Sequence, residues 1–186
     1  MRKLIVFNNV SLDGYFTDDK GDMSWAHKSD PEWNEFAAGN AKGGGVLVFG
    51  RVTFQMMESF WPSDMAKQMF PDVAKGMNDA QKVVFSRSLK DVKWNNTKLF
   101  NGNLIEQIKK MKAEDGPGLA ILGSGTIVSQ LAEENLIDEY QVVITPVALG
   151  KGRTLFEGMK HKLNLKLAST RVFKNGNVLL NYLSEP

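Results

Sequence analysis

Three short segments of this chain concentrate groups suited to binding anions. They are Gly50-Arg51-Val52-Thr53-Phe54, Phe85-Ser86-Arg87-Ser88 and Leu122-Gly123-Ser124-Gly125-Thr126-Ile127. Each lies where a short apolar run ends and the chain turns. In an open α/β sheet, ligands gather beyond the carboxyl ends of the strands. Two of the segments supply an arginine, whose planar fork suits phosphate. All three supply Ser or Thr hydroxyls. Gly123 to Thr126 adds bare backbone N–H groups at a helix start, where the helix dipole favours negative charge. Together the segments could cradle a pyrophosphate and one further phosphate. Taken singly, each has a plainer explanation. Gly123 to Thr126 also reads as a tight strand-to-helix turn with a Thr cap. A lone arginine is more often solvated surface. Val128 stands where a G-x-G-x-x-G fingerprint needs its third glycine, and the segment follows a late strand, which disfavours a Rossmann dinucleotide domain. No G-x-x-x-x-G-K-[ST] is present, which argues against a P-loop nucleotidase.

Composition removes most other chemistry. The chain has 186 residues, 42% hydrophobic and 24% charged, which fits one globular domain over 1–186 with a sizeable core. Cysteine is absent, and the two histidines, His27 and His161, sit in no catalytic or metal-binding motif. Disulfides, zinc-thiolate sites, thiol nucleophiles and most histidine chemistry are thereby disfavoured. The formal charge of +2 is too mild to suggest nucleic acid as a partner. The apolar run Leu4–Phe7, broken by Asn8 and Asn9, is too short for a signal-peptide core, and no segment reads as membrane-spanning. The expectation is a cytoplasmic protein with a small-molecule substrate, its difficult chemistry supplied by an organic cofactor.

The elements that must position these groups alternate along the chain. Lys3–Val10 reads as a buried strand. Ser11–Lys28 is a long turn-rich loop, of the kind that is usually functional or mobile. Ser29-Asp30-Pro31-Glu32 carries helix-start signals: a cap, an early proline and an acid. Short apolar runs at 46–49, 82–85, 97–100, 119–122 and 140–145 predict further strands. Phe54, Met57 and Phe60-Trp61 predict a helix stopped by Pro62, and residues 64–79 a further helix or irregular insertion. Leu104, Ile108 and Met111 mark an amphipathic helix, and Ile127, Val128 and Leu131 the inward face of another. Asn175-Gly176 between two apolar runs predicts a closing hairpin. The pattern is that of an α/β protein with a mixed sheet.

The order of the three strand-end segments resembles the dihydrofolate reductase-like family. So does the G-R-x-T-[FWY] match at Gly50 to Phe54. The opening Asn8-Asn9-Val10-Ser11-Leu12-Asp13-Gly14-Tyr15-Phe16 is similar to the branch formed by the C-terminal reductase domain of bacterial bifunctional riboflavin biosynthesis deaminase-reductase. Leu136-Ile137-Asp138-Glu139-Tyr140 and the run Thr145 to Phe156 point the same way. The resemblance spans nearly the whole chain. It implies a three-layer fold: a mixed, mostly parallel central sheet, helices on both faces and a C-terminal antiparallel hairpin.

The resemblance also implies an NADPH-dependent reductase, transferring hydride to a small heterocyclic or sugar-linked substrate, and a homodimer. Dihydrofolate reduction proper, and a non-catalytic NADPH-binding or regulatory module, are the alternatives. Arg51, Ser86 and Arg87 would meet the 2′-phosphate side of the nucleotide. Thr53 and the backbone of Gly123, Ser124, Gly125, Thr126 and Ile127 would hold the pyrophosphate, with Asn9, Gly21 and Gly50 also on the cofactor side. Gly123-Ser124 would be the counterpart of a glycine pair that can carry a cis peptide. The loop Asp13–Trp25 would fold over the nicotinamide. Asp30, five residues after Trp25, would donate or relay the proton, paired with Thr145; a helix cap is its plainer role. Trp25, Phe54 and Phe156 would contact substrate. Leu122 stands where many riboflavin-pathway reductases carry Glu, and no segment of 1–186 reads as the zinc deaminase often fused to them, two departures from the pattern expected for a ribosylaminopyrimidine substrate.

Overall fold

The computed structural model describes residues 1–27 and 30–185. Ser29, part of the helix-start signal, lies outside the described residues. In chain order the elements begin with β1 (Leu4–Ser11), β2 (Tyr15–Thr17), α1 (Pro31–Ala41), β3 (Val46–Gly50) and α2 (Arg51–Phe60). Then come α3 (Asp64–Met69), α4 (Pro71–Asp79), β4 (Lys82–Phe85), β5 (Thr97–Phe100), α5 (Leu104–Ala113) and β6 (Leu119–Leu122). The chain closes with α6 (Gly125–Glu133), β7 (Glu139–Thr145), β8 (Arg153–Thr154), β9 (Leu165–Val172) and β10 (Val178–Ser184).

Eight strands form the central sheet in the order β5-β4-β3-β6-β1-β7-β10-β9. Neighbours are parallel from β5 through to β7, and β10 and β9 are antiparallel. The parallel strands read as near-continuous apolar runs because both faces are covered. On one face α5 and α6 bury Ile108, Met111, Ile127 and Leu131 against Leu4, Val6, Val48 and Ile121. On the other, α2 and α4 bury Phe54 and Met77 against Phe49 and Val84, and α1 lays Trp33 and Phe36 on Val143, Phe173 and Leu179. The expected three-layer α/β architecture with its terminal hairpin is present.

Crossing helices therefore leave β3 and β6 on opposite faces, although these strands are neighbours; the same holds for β1 and β6. That is the switch point where an α/β sheet opens a crevice at its carboxyl edge. The hairpin turn is tightened by Gly176, at φ 88, whose N–H bonds Phe173 O. That is the left-handed position a short hairpin loop reserves for glycine.

One buried cation stabilises the helical layer. Lys82 is almost wholly buried, and its Nζ donates to the carbonyls of Met77, Asn78 and Ala80. It thus satisfies carbonyls at the end of α4, which lack partners within the helix. The ammonium also lies 4.5 Å from the Trp94 ring centroid. Burial lowers its pKa to about 8.

Candidate functional site

At the carboxyl edge, the β3–β6 register pairs Val48 with Ile121 and so brings Gly50 level with Gly123. The Gly50 N–H donates to Ser124 Oγ at 2.9 Å. The Ser124 N–H donates to Thr53 Oγ1 at 3.1 Å, and Asn8 Nδ2 on β1 donates to Gly123 O at 3.3 Å. Groups from β1, β3 and α2 thus clamp one turn. The turn is strained: Gly123 has φ 59 and Ser124 has φ 62, ψ 54, left-handed conformations in succession. A Cβ on Gly123 would stand 2.9 Å from Thr53 Cγ2, so only glycine fits. The Gly123–Ser124 bond is trans, against the cis counterpart suggested by the resemblance. Two consecutive left-handed residues redirect the chain there instead.

The clamp leaves two helix starts without a side-chain cap. Gly50 precedes α2 and has no side chain to cap it; Ser124 precedes α6, but its hydroxyl is committed to Gly50. The first amides of a helix lack partners within it; at α6 those of Ile127 and Val128 bond Ser124 O, which leaves Gly125 and Thr126 at the open end. Two dipole-positive ends therefore meet at the rim between β3 and β6, with Thr126 exposed beside them. Ile127 adds no free group here, contrary to expectation: its N–H donates to Ser124 O at 2.8 Å and its side chain is core. The expected Thr cap is absent.

Arg51 and Ser86 leave adjacent strand ends, because Gly50 pairs with Phe85. Both Arg51 and Arg87 are exposed, and Arg51 Nη1 donates to Gln55 Oε1 on its own helix, at 3.1 Å. Ser86 does different work from that expected. Its Oγ accepts from the N–H groups of Ser88 and Leu89, so it builds the turn that presents Arg87. Thr53 likewise is nearly buried and holds Ser124 rather than facing the rim.

The loop after β1 is less free than its sequence suggests. β2 pairs with β8, and Phe16 packs on Gly125 at the start of α6. Asp13 accepts from Ser11 Oγ and from the N–H groups of Leu149 and Gly150. The Ser11 hydroxyl first, then those amides, lower its pKa to about 2. Lys151 pairs with Asp19. Only the part beyond β2 could cover a ligand. Gly21 is exposed there, at φ 85 in a turn held by the Asp18 carboxylate. Trp25 is half-buried on a 3₁₀ turn, its Nε1 donating to Asp22 O.

On the α1 face, the helix runs antiparallel to β1, as a crossover between parallel strands must. Its Phe36 lies 6.2 Å from Phe7, which carries its amino end toward Asn9 and Ser11. Asp30 caps that end: Oδ1 accepts from the N–H groups of Glu32 and Trp33. Its Oδ2 is shielded from solvent with no hydrogen-bond partner. On the sheet below, the register places Asn9 beside Val143 and Ser11 beside Thr145. Thr145 Oγ1 and Asn9 Oδ1 are also shielded and unpartnered. Asp30 and Thr145 share no hydrogen bond. Asn177, just before β10, also has its whole carboxamide shielded and unpartnered.

Two expected substrate contacts are placed elsewhere. Phe54 is 0% exposed and packs against Phe49 and Trp94, with ring centroids 6.1 and 6.0 Å away. Its position faces inward because helix α2 must bury an apolar face on the sheet. Phe156, 39% exposed, packs on Tyr140 and lines a groove with Met159, His161, Leu163 and Leu165. Tyr140 belongs to the α5–α6 face, so the sheet separates Phe156 from Asp30 and Thr145.

Comparisons with known proteins agree with this architecture. The family model of the RibD C-terminal domain matches residues 2–179. The uncharacterized protein YyaP of Bacillus subtilis is 28% identical over 181 residues, covering 97% of this chain and 94% of YyaP. A protein assigned to riboflavin biosynthesis from Shewanella sp. PV-4 superposes with TM-score 0.74 at 23% identity, covering 99% of both chains. The Thermotoga maritima diaminohydroxyphosphoribosylaminopyrimidine deaminase/5-amino-6-(5-phosphoribosylamino)uracil reductase gives 0.69 at 15% identity, covering 99% of this chain and 57% of that one. Dihydrofolate reductase from Enterococcus faecalis, complexed with NADP(H), gives 0.67 at 14% identity, covering 99% and 97%.

Proposed function

Because this chain belongs to the RibD C-terminal domain family, we propose that it is an NADPH-dependent reductase of a small heterocyclic or sugar-linked substrate. The observation that carries the reading is the pair of uncapped helix starts locked side by side at the sheet's switch point. The residues present fit the cofactor. Gly123 packs against Thr53 where no side chain would fit, and this close contact holds the two uncapped helix starts together. The open first amides of α2 and α6 would bind the pyrophosphate, and Arg51 and Arg87 would take the additional 2′-phosphate. When bound, NADPH supplies the hydride. The protein's own work is then to orient, exclude water and move a proton. Trp25 and the loop beyond β2 would cover the site, with Gly21 at their turn. Asp30 Oδ2 would deliver the proton, with Thr145 as its neighbour across the sheet. The reading also carries a single domain, a cytoplasmic location and a homodimer. Strand β9, an exposed edge of the sheet, is compatible with pairing of two copies.

The test is NADPH oxidation followed at 340 nm, with 5-amino-6-(5-phosphoribosylamino)uracil and with dihydrofolate. Turnover on the first supports the reading, and turnover on the second alone reassigns the protein to dihydrofolate reduction. Tight NADPH binding without turnover on either substrate points to a binding module.

A further inference from the structure

Helix α1 is lightly held for an element whose cap is a candidate acid. None of its residues is fully buried. Its amino end rests on the β9–β10 hairpin through two adjacent residues, Glu32 and Trp33. Glu32 Oε1 accepts from Arg171 Nη2 on β9 at 3.1 Å, and Oε2 accepts from the Lys174 N–H in the hairpin turn at 3.3 Å. The Arg171 contact first, then the Lys174 amide, hold the Glu32 carboxyl below its ordinary pKa. The Trp33 ring meets Phe173 edge-on, with centroids 5.1 Å apart. Arg171 Cζ lies 4.5 Å from the Phe173 ring centroid and 5.6 Å from that of Phe36, so one guanidinium meets the acid and both rings. Glu32 and Trp33 are also the residues whose backbone N–H groups hold Asp30 Oδ1. The same two residues thus face the hairpin with their side chains and the acid with their amides. The hairpin in turn shares its ladder with β7, where Val178 pairs with Ile144, next to Thr145.

We infer that Arg171 is a positioning residue for the acid: by holding Glu32 on the hairpin it fixes the first turn of α1, and with it the direction of Asp30 Oδ2. The inference rests on the reductase reading above, in which Asp30 delivers the proton. Magnitudes favour orientation over stability as the role of the pair. The side chains of Arg171 and Glu32 are 49% and 29% exposed, and ion pairs of this kind contribute little to stability. Orientation is different, since reacting groups misplaced by about 1 Å can lose on the order of 10²-fold in rate. Arginine suits the task, because its planar guanidinium can bond a carboxylate and lie against aromatic rings at once.

The test compares the full wild-type chain with Arg171→Met, which keeps an apolar stem but loses the guanidinium and its charge, and with Arg171→Lys. Turnover is followed at saturating NADPH on whichever of the two substrates above is reduced. Arg171→Met is expected to melt within a few degrees of wild type and to bind NADPH as wild type does. Its kcat is expected to fall roughly ten- to hundredfold. Arg171→Lys, which keeps the charge, is expected to recover part of that loss. In an Asp30→Asn background Arg171→Met is expected to cost nothing further, because the acid it positions is gone. An unchanged kcat in Arg171→Met overturns the inference, as does an equal fold-loss in the Asp30→Asn background. Hydrogen exchange of the Glu32 and Trp33 amides in the ligand-free chain reads the anchor apart from turnover. It is expected to quicken in Arg171→Met, and unchanged exchange overturns the inference. Should Arg171→Met misfold, Glu32→Gln weakens the same pair from the α1 side and is expected to lower kcat likewise; an unchanged kcat there overturns the inference too. A wild type that reduces neither substrate contradicts the reductase reading instead, and amide exchange then decides alone whether Arg171 fixes the turn.

Discussion

The two oxygens of Asp30 have different fates. Oδ1 closes the first turn of α1, and Oδ2 is shielded and unpartnered. Cap and proton donor are therefore compatible roles for one side chain. They separate on substitution. Asparagine caps helices as well as aspartate does, so Asp30→Asn is expected to melt within a few tenths of a kcal/mol of wild type. Turnover at saturating NADPH is expected to fall roughly 10²–10⁴-fold, the usual contribution of a general acid. A stable variant with unchanged turnover leaves Asp30 a cap alone. At this scale the sequence was an uneven guide. Asp30 and Thr145 were legible through their place in a family motif. Phe54 shared that motif, yet helical spacing with Met57 was the better guide, and it pointed inward. Asn177 and Lys82 carried no legible signal, because burial of a polar residue depends on long-range packing that local pattern does not encode.

At the scale of elements, the β2–β8 pair and the clamp on the Gly123 turn depend on backbone fit. Gly152 illustrates this: a Cβ there would stand 2.1 Å from Thr17 O, so the β2–β8 contact needs glycine. These strands are too short to show a period of two in the sequence, and the segment around β2 therefore read as loop. The strand-ending glycines and the helix stop at Pro62 were legible, since they act locally. Asp13 ties the turn between β1 and β2 to the loop after β7. Its folded-state pKa is depressed, so its contribution is complete above the ordinary value of 3.8 and is lost as the pH falls towards about 2. The amide resonances of Leu149 and Gly150 are expected to titrate together with a midpoint below 3.8, while the sheet amides stay in place. In Asp13→Asn that transition is expected to vanish. A midpoint at the ordinary value would mean that the carboxylate does not hold the loop.

For the whole molecule, alternating strands and helices were enough to expect a mostly parallel sheet, and right-handed crossovers leave few ways to order it. The strand order itself depends on which neighbours pair, and so came from the structure. That order puts α2 and α6 on opposite faces of adjacent strands. It thereby turns segments more than seventy residues apart in sequence into one rim, as the Thr53–Ser124 contact shows. The mild net charge conceals this arrangement, since two exposed arginines at the rim suffice for one phosphate. Calorimetric titration of wild type and the Arg51→Ala/Arg87→Ala double variant with NADPH and NADH tests that account most directly. Wild type is expected to bind NADPH saturably and in preference to NADH. The double variant is expected to lose about tenfold or more in NADPH affinity, with little change for NADH, since charge-assisted hydrogen bonds to the extra phosphate are removed. No NADPH binding by wild type, or a preference left intact in the double variant, would contradict it.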